Sequence, residues 1–201
     1  MLPRIDSPTA DELSARSDSS AILNYEKLLL TPVFPLNADM EIDFDTLDCV
    51  PSGEVNIIED EELGNGLVVE LSGKDSRISF YTQTHYNQVV GYVNNCKRYT
   101  TFNFVVQDSD NIEFFIEVSN HRSTVSVEIE IRTIRLPLEI AEGWQRVCID
   151  FDDILFNTIG TRFKSCTEVV VAGGPRIYKL FFQGESYFDP QLPPFLRVLI
   201  V

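Results

Sequence analysis

The chain has 201 residues, 44% of them hydrophobic and 11% aromatic, and a formal net charge of −15. That is enough apolar material for one packed domain with a short arm, and too much for a chain disordered throughout. Charge this negative excludes a general nucleic-acid binder, whose phosphate contacts need clustered Lys and Arg, and it disfavours docking on anionic lipid.

Met1 to Asp6 lacks the apolar core of a signal peptide, and no run reaches the roughly 18 apolar residues of a membrane span. The four cysteines, at 49, 96, 148 and 166, are widely spaced and spell neither a zinc ribbon nor a redox motif. They read as reduced thiols of a cytoplasmic protein. Nothing in the sequence calls for a cofactor or a metal. The charge is unevenly placed: the eleven acids from Asp39 to Glu70 face no Lys or Arg between Lys27 and Lys74.

Taken in order, residues 1–20 are rich in Ser, Asp and Pro and read as a flexible arm, with one domain over 21–201. Ala21 to Leu36 is apolar but broken by Pro32 and Pro35, which predicts an extended segment. Asp39 to Asp45 alternates carboxylates with Met40, Ile42 and Phe44, the period of a strand with one wet face. Gln88 to Lys97 is Val-rich and ambiguous between helix and strand. Strands are predicted at 67–71, 78–82, 101–107 and 112–118. The cleanest is 125–132, with Val125, Val127, Ile129 and Ile131 inward and Ser126, Glu128, Glu130 and Arg132 outward. The apolar phase then slips to Ile134 and Leu136, so a break near Thr133 is expected. Further strands are predicted at 145–151, 168–172, 176–182 and 196–200, and a short helix over Asp152 to Asn157, whose acids suit a helix N-terminus. About ten short strands with tight turns and almost no helix give an all-β fold, an antiparallel two-sheet β-sandwich.

The candidate functional residues are few. Asp39, Glu41, Asp43 and Asp45 would line one strand face, where like charges repel unless solvent, a cation or a basic partner relieves them. Arg162, Lys164, Arg176 and Lys179, with only Glu168 among them, make a local net of +3. With Arg122 in the 119–124 loop they are where an acidic partner would dock. Asp150, Asp152 and Asp153 resemble part of a calcium loop, but the glycine and the distal glutamate are out of register, and strand-end and cap roles fit better. Trp144 reads as a core anchor, with ligand stacking as the other reading. His85 and His121 fall in no recognisable triad, and nothing singles out the paired carboxylates of a glycosidase, so no enzyme is expected.

One longer pattern remains. Gly53 to Glu62, Leu67 to Leu71, Ile78 to Thr82 and Tyr99 to Phe102 come first. Ser119-Asn120, Ser123-Thr124 and Leu136-Pro137-Leu138 follow, then Gly143-Trp144, Gly160-Thr161, Arg176-Ile177, Phe181-Phe182 and Leu192-Pro193. In this order and spacing, clearest over 53–201, the chain resembles the cilia- and flagella-associated protein 20 family. The resemblance implies a jelly-roll-like sandwich similar in shape to carbohydrate-binding modules, with one or two short helices and no catalytic residues. It implies a structural part of the ciliary or flagellar axoneme in the cytoskeleton. That part would bind tubulin in doublet microtubules, at the inner junction or another doublet position, contact neighbouring axonemal proteins, and stabilise the doublet for motility. The family's short members are basic, so this chain is a divergent, acidic one. The alternative is a carbohydrate- or peptide-binding sandwich using Trp144.

Overall fold

In the computed structural model, residues 28–35, 44 and 47–198 are described. The strands among them are β1 (Leu30–Phe34), β2 (Cys49–Ser52), β3 (Val55–Asp60), β4 (Gly66–Leu71), β5 (Arg77–Thr84), β6 (Gln88–Asn94), β7 (Thr100–Asp108), β8 (Glu113–Ser119), β9 (Ser126–Glu128), β10 (Thr133–Pro137), β11 (Trp144–Asp150), β12 (Phe163–Gly173) and β13 (Arg176–Gln183), with one α-helix, α1 (Phe151–Ile159). One sheet runs β11-β6-β13-β4-β3, with β1 paired to β13 beyond the end of β4. The other runs β2-β5-β12-β7-β8-β10-β9. All pairs are antiparallel except β8 with β10. The predicted sandwich is therefore what forms.

Alternation builds the core. Phe102, Phe104 and Val106 of β7 point inward with Val169 and Val171 of β12, and meet Val89, Val93, Ile177 and Phe182 of the facing sheet. Phe151 sits at the centre, its ring 4.9 Å from Phe104 and 5.3 Å from Phe163. It is placed there by Asp150, which ends β11 and caps α1: its Oδ1 accepts from the backbone N–H groups of Asp152 (3.0 Å) and Asp153 (3.2 Å). The helix stops at Gly160, whose φ of +76° any other residue would hold under strain.

Three readings are resolved or corrected. Gln88 to Lys97, ambiguous between helix and strand in the sequence, is the strand β6 and its turn. It lacks strand alternation because Val89 and Val93 face the inter-sheet core while Val90 is buried on the opposite face. What covers Val90 is the segment expected to be a strand at 196–200. Pro193 and Pro194 turn that chain into a 3-10 turn (Pro194–Leu196), and Leu192 and Leu196 pack on Val90 and Phe181. Residues 199–201 lie outside the described residues, as do Asp39 to Asp45 apart from Phe44, which packs against the core.

The third correction concerns 125–132, predicted to turn Val125, Val127, Ile129 and Ile131 inward. Only Ser126 to Glu128 is strand, a 3-10 turn takes Ile129 to Ile131, and Arg132 is left-handed at φ +53°. All four apolar side chains are exposed, Ile129 to 70%. The cause is strand order. The chain crosses over and inserts β10 between β8 and β9, so the slipped phase at Ile134 fills the core and the cleaner run is left at the rim. The break expected near Thr133 falls where β10 begins, while β2 and β3 lie outside the predicted strands, being short or interrupted by acids and Pro51.

The Asp150 junction can be tested by unfolding. Asp150→Ala is expected to cost about 1–2 kcal/mol from the cap alone. It also strands Asn87 and Gln88, which donate to the same carboxylate at 3.0 and 2.9 Å. A urea midpoint unchanged from the parent would refute the cap's role.

Candidate partner-binding surfaces

The structure divides the basic residues singled out in the sequence. Arg162 and Lys164 flank the start of β12 in one sheet; Arg176 and Lys179 lie on β13 in the other. Arg162 binds the Asp152 carboxylate at 2.7 Å and stacks over Phe156, with its guanidinium carbon 4.3 Å from the ring centre. Lys164 donates to the Asn111 side chain. Arg122 pairs with Glu117, which also faces Arg135 at 3.8 Å, while Arg135 binds Glu128. Each of these cations thus has a local anionic or polar partner. Asp39, Glu41, Asp43 and Asp45 lie outside the described residues.

Arg176 is the most deeply committed. It reaches Asp60 at 2.9 Å and Glu70 at 2.8 Å, tying the β3–β4 hairpin to β13. Asp60 is 3% exposed, so part of the acidic stretch is internal charge rather than surface. The hydrogen bond that Arg176 donates to Glu70 outweighs desolvation and, with the one it donates to Asp60, holds the guanidinium even more firmly protonated.

Lys179 is the opposite case. It is 7% exposed, and its Nζ lies 4.0 Å over the Tyr178 ring; among the described residues no carboxylate is within 4 Å of it. Burial pushes its ammonium down to about 8. Trp144 shares this outer face of the sheet, packed edge-on against Tyr178 at 6.1 Å between centres. Its Nε1 is buried with no hydrogen-bond partner among the described residues. The indole is packed, not presented as a platform, which favours the anchor reading on the outer face of the sheet rather than in the central core.

Sequence reasoning missed a surface made by turns. Where β6 passes to β7, Cys96 and Lys97 are both left-handed, at φ +50° and +59°. This turn, with the 119–122 and 138–143 loops, forms a groove of about 770 Å³ lined by Asn95, Lys97, Arg98, Tyr99, Asn120 and Glu142, among others. Tyr99 is among the most exposed aromatics, edge-on to His121. Lys97 and Glu142 pair at 3.3 Å, both largely in solvent. The opposite end of the sandwich, where β7 ends, α1 begins and β13 ends, carries Asp110, Asp152, Asp153 and Glu185, with Arg162 and Lys164 among them. Both groupings are invisible in chain order because each turn contributes one or two residues.

The polar clusters have structural work. The Asp150 oxygens are occupied by the cap and by Asn87 and Gln88. Ser119 Oγ, which bonds His121 Nδ1, is fully buried and also donates to the Thr100 carbonyl. Among the described residues no three His, Cys, Asp or Glu side chains gather as a metal site. Cys166 is buried, its thiol pushed up to about 12 by desolvation.

Comparison with known proteins gives three results. The chain matches the model of the CFA20 domain over residues 33–200. It is similar to Cilia- and flagella-associated protein 20 of Paramecium tetraurelia, 24% identical over 160 residues, covering 75% of this chain and 82% of that protein. The protein of the same name from Chlamydomonas reinhardtii is 23% identical, with coverage of 75% and 83%. Among solved structures, a family 11 carbohydrate-binding module from Clostridium thermocellum aligns at a TM-score of 0.39 and 9% identity, over 76% of this chain and 96% of that one.

The burden of Lys179 has a measurable pH signature. Its folded value, about 8, lies below the ordinary 10.5. Between those two values the unfolded chain binds more protons than the folded one, so this group's contribution to stability rises with pH across the window. Lys179→Met is expected to stabilise the protein by about 1–3 kcal/mol at pH 7, the gain shrinking as pH rises from 8 past 10.5. A gain independent of pH would show that the ammonium is not the cause.

Proposed function

The chain belongs to the CFA20 domain family over residues 33–200, and from that premise we propose that it is a non-enzymatic structural component of the ciliary or flagellar axoneme, bound to doublet microtubules. The observation that carries the reading is the extent of the likeness. It runs from β1 through both sheets to the covering segment, and spans over four-fifths of relatives named as cilia- and flagella-associated. A whole architecture shared at this length fits a shared structural role better than a borrowed module does.

The surface is consistent with such a role. The turn end, with Lys97, Arg98 and Tyr99 exposed, suits an acidic lattice such as tubulin's, while the acid-rich helix end faces away from it. A chain at −15 that meets tubulin through one end needs its acids elsewhere, toward solvent or a basic neighbour. Glycan binding through Trp144 has less support, because the ring is packed against Tyr178.

Co-sedimentation with taxol-stabilised microtubules tests the reading. Saturable pelleting that weakens with salt is expected, and Lys97→Glu with Arg98→Glu should lower apparent affinity about tenfold. A tagged chain should also stay on detergent-extracted axonemes; release with the soluble matrix would overturn the assignment.

A further inference from the structure

The edges of the two sheets are not equally protected. Edge strands invite pairing, and proteins blunt them by shortness, proline or charge. Strand β2 has four residues including Pro51, β9 has three, and β3 ends in Glu59 and Asp60. Strand β11 is different. It pairs with β6 through seven consecutive residues without a register shift, and nothing among the described residues pairs with its other side.

The open side can be assigned residue by residue. Phe151 N–H donates to the Asn87 carbonyl at 2.8 Å, which fixes the alternation of the ladder. Gln145, Val147 and Ile149 direct their N–H and C=O groups to β6. Arg146 and Cys148 direct theirs outward.

Beside that edge the sandwich gapes. A cleft of about 700 Å³ separates β11 from β8 and β10, its walls including Val118, Leu136, Leu138, Val147, Ile149 and Ile154. Val125 also lines it and continues into the exposed row of Val127, Ile129 and Ile131, the run whose pattern demands a buried face and which this fold leaves uncovered. Glu139 and Asp153 stand in the cleft wall and Glu130 interrupts the exposed row, with Arg146 the base that lines the cleft.

We propose that β11 is a docking edge for an extended segment of another protein, one with apolar residues at alternate positions and a Lys or Arg at each end. Its backbone pairs with Arg146 and Cys148. Its apolar side chains enter the cleft against Val118, Leu136 and Ile154, and its terminal basic residues meet Glu139, which precedes β11, and Asp153, which follows it. Backbone pairing supplies affinity and the alternate pockets supply specificity. The occupant is basic because the rim is acidic, which gives part of the chain's acid excess a partner. This inference does not depend on microtubule binding.

The test uses the full chain and a fluorescein-labelled peptide whose seven central residues, alternating Ser and Val, match β11 in length, with one Lys at each end on the Val face. Saturable binding is expected by anisotropy, with hydrogen-exchange protection appearing at the amides of Arg146 and Cys148. Cys148→Pro removes an edge-directed N–H while leaving the β6 ladder intact, and should weaken binding at least tenfold. Glu139→Lys should weaken it severalfold. Three results would overturn the proposal: no saturable binding; equal binding of a peptide of the same composition with its lysines in one block; or protection at 146 and 148 before any peptide is added, which would mean that this chain's own segment fills the edge. Should Cys148→Pro fail to fold, exchange on the parent chain still decides.

Discussion

One carboxylate organises this sandwich. Asp150 ends β11, caps α1 and binds the side chains of Asn87 and Gln88 at the start of β6. By forcing strand to become helix at that point it drops Phe151 into the centre of the core, against Phe104, Phe163 and Phe182. It also decides the fate of the edge. The chain after β11 leaves as a helix and does not fold back as a hairpin partner, so among the described residues the outer side of β11 is unpaired. The same junction thus holds the fold together and leaves it with an available surface.

The second constraint is that the β6-β13 centre of this sheet is buried twice. Its inner face meets the other sheet, and its outer face is covered by the segment carrying Leu192 and Leu196. Double burial explains the Val-rich run at the centre of β6, the packed indole of Trp144 and the desolvated Lys179. A buried ammonium without a carboxylate lowers stability, so its presence on this covered face is a cost the protein carries while the hydrophobic layers around it are in surplus.

Charge has two distinct roles. Asp60 and Glu70 are internal, spent on Arg176 to lock the β3–β4 hairpin to β13. Asp110, Asp152, Asp153 and Glu185 gather at the helix end and Glu139 lines the cleft, while Lys97, Arg98 and Tyr99 share the turn end with Glu142.

The sequence by itself determined the two-sheet sandwich, most of the strands and the family. Those follow from period-two alternation and from an ordered series of short motifs, both of which are local and are read along the chain. The short helix after Asp150 was legible for the same reason, since a capping acid and acidic first turn are neighbours in sequence. What only the tertiary structure decided was which faces are covered. Val125 to Ile131 had the best alternation and came out exposed, because the order β8-β10-β9 is set by a crossover that no local pattern encodes. The basic residues from Arg162 to Lys179 are close in sequence but fall on different sheets, while Lys97, Arg98 and Asn120 come from separate turns to line one groove. Alternation says that a strand has two faces; only strand order says what each face meets.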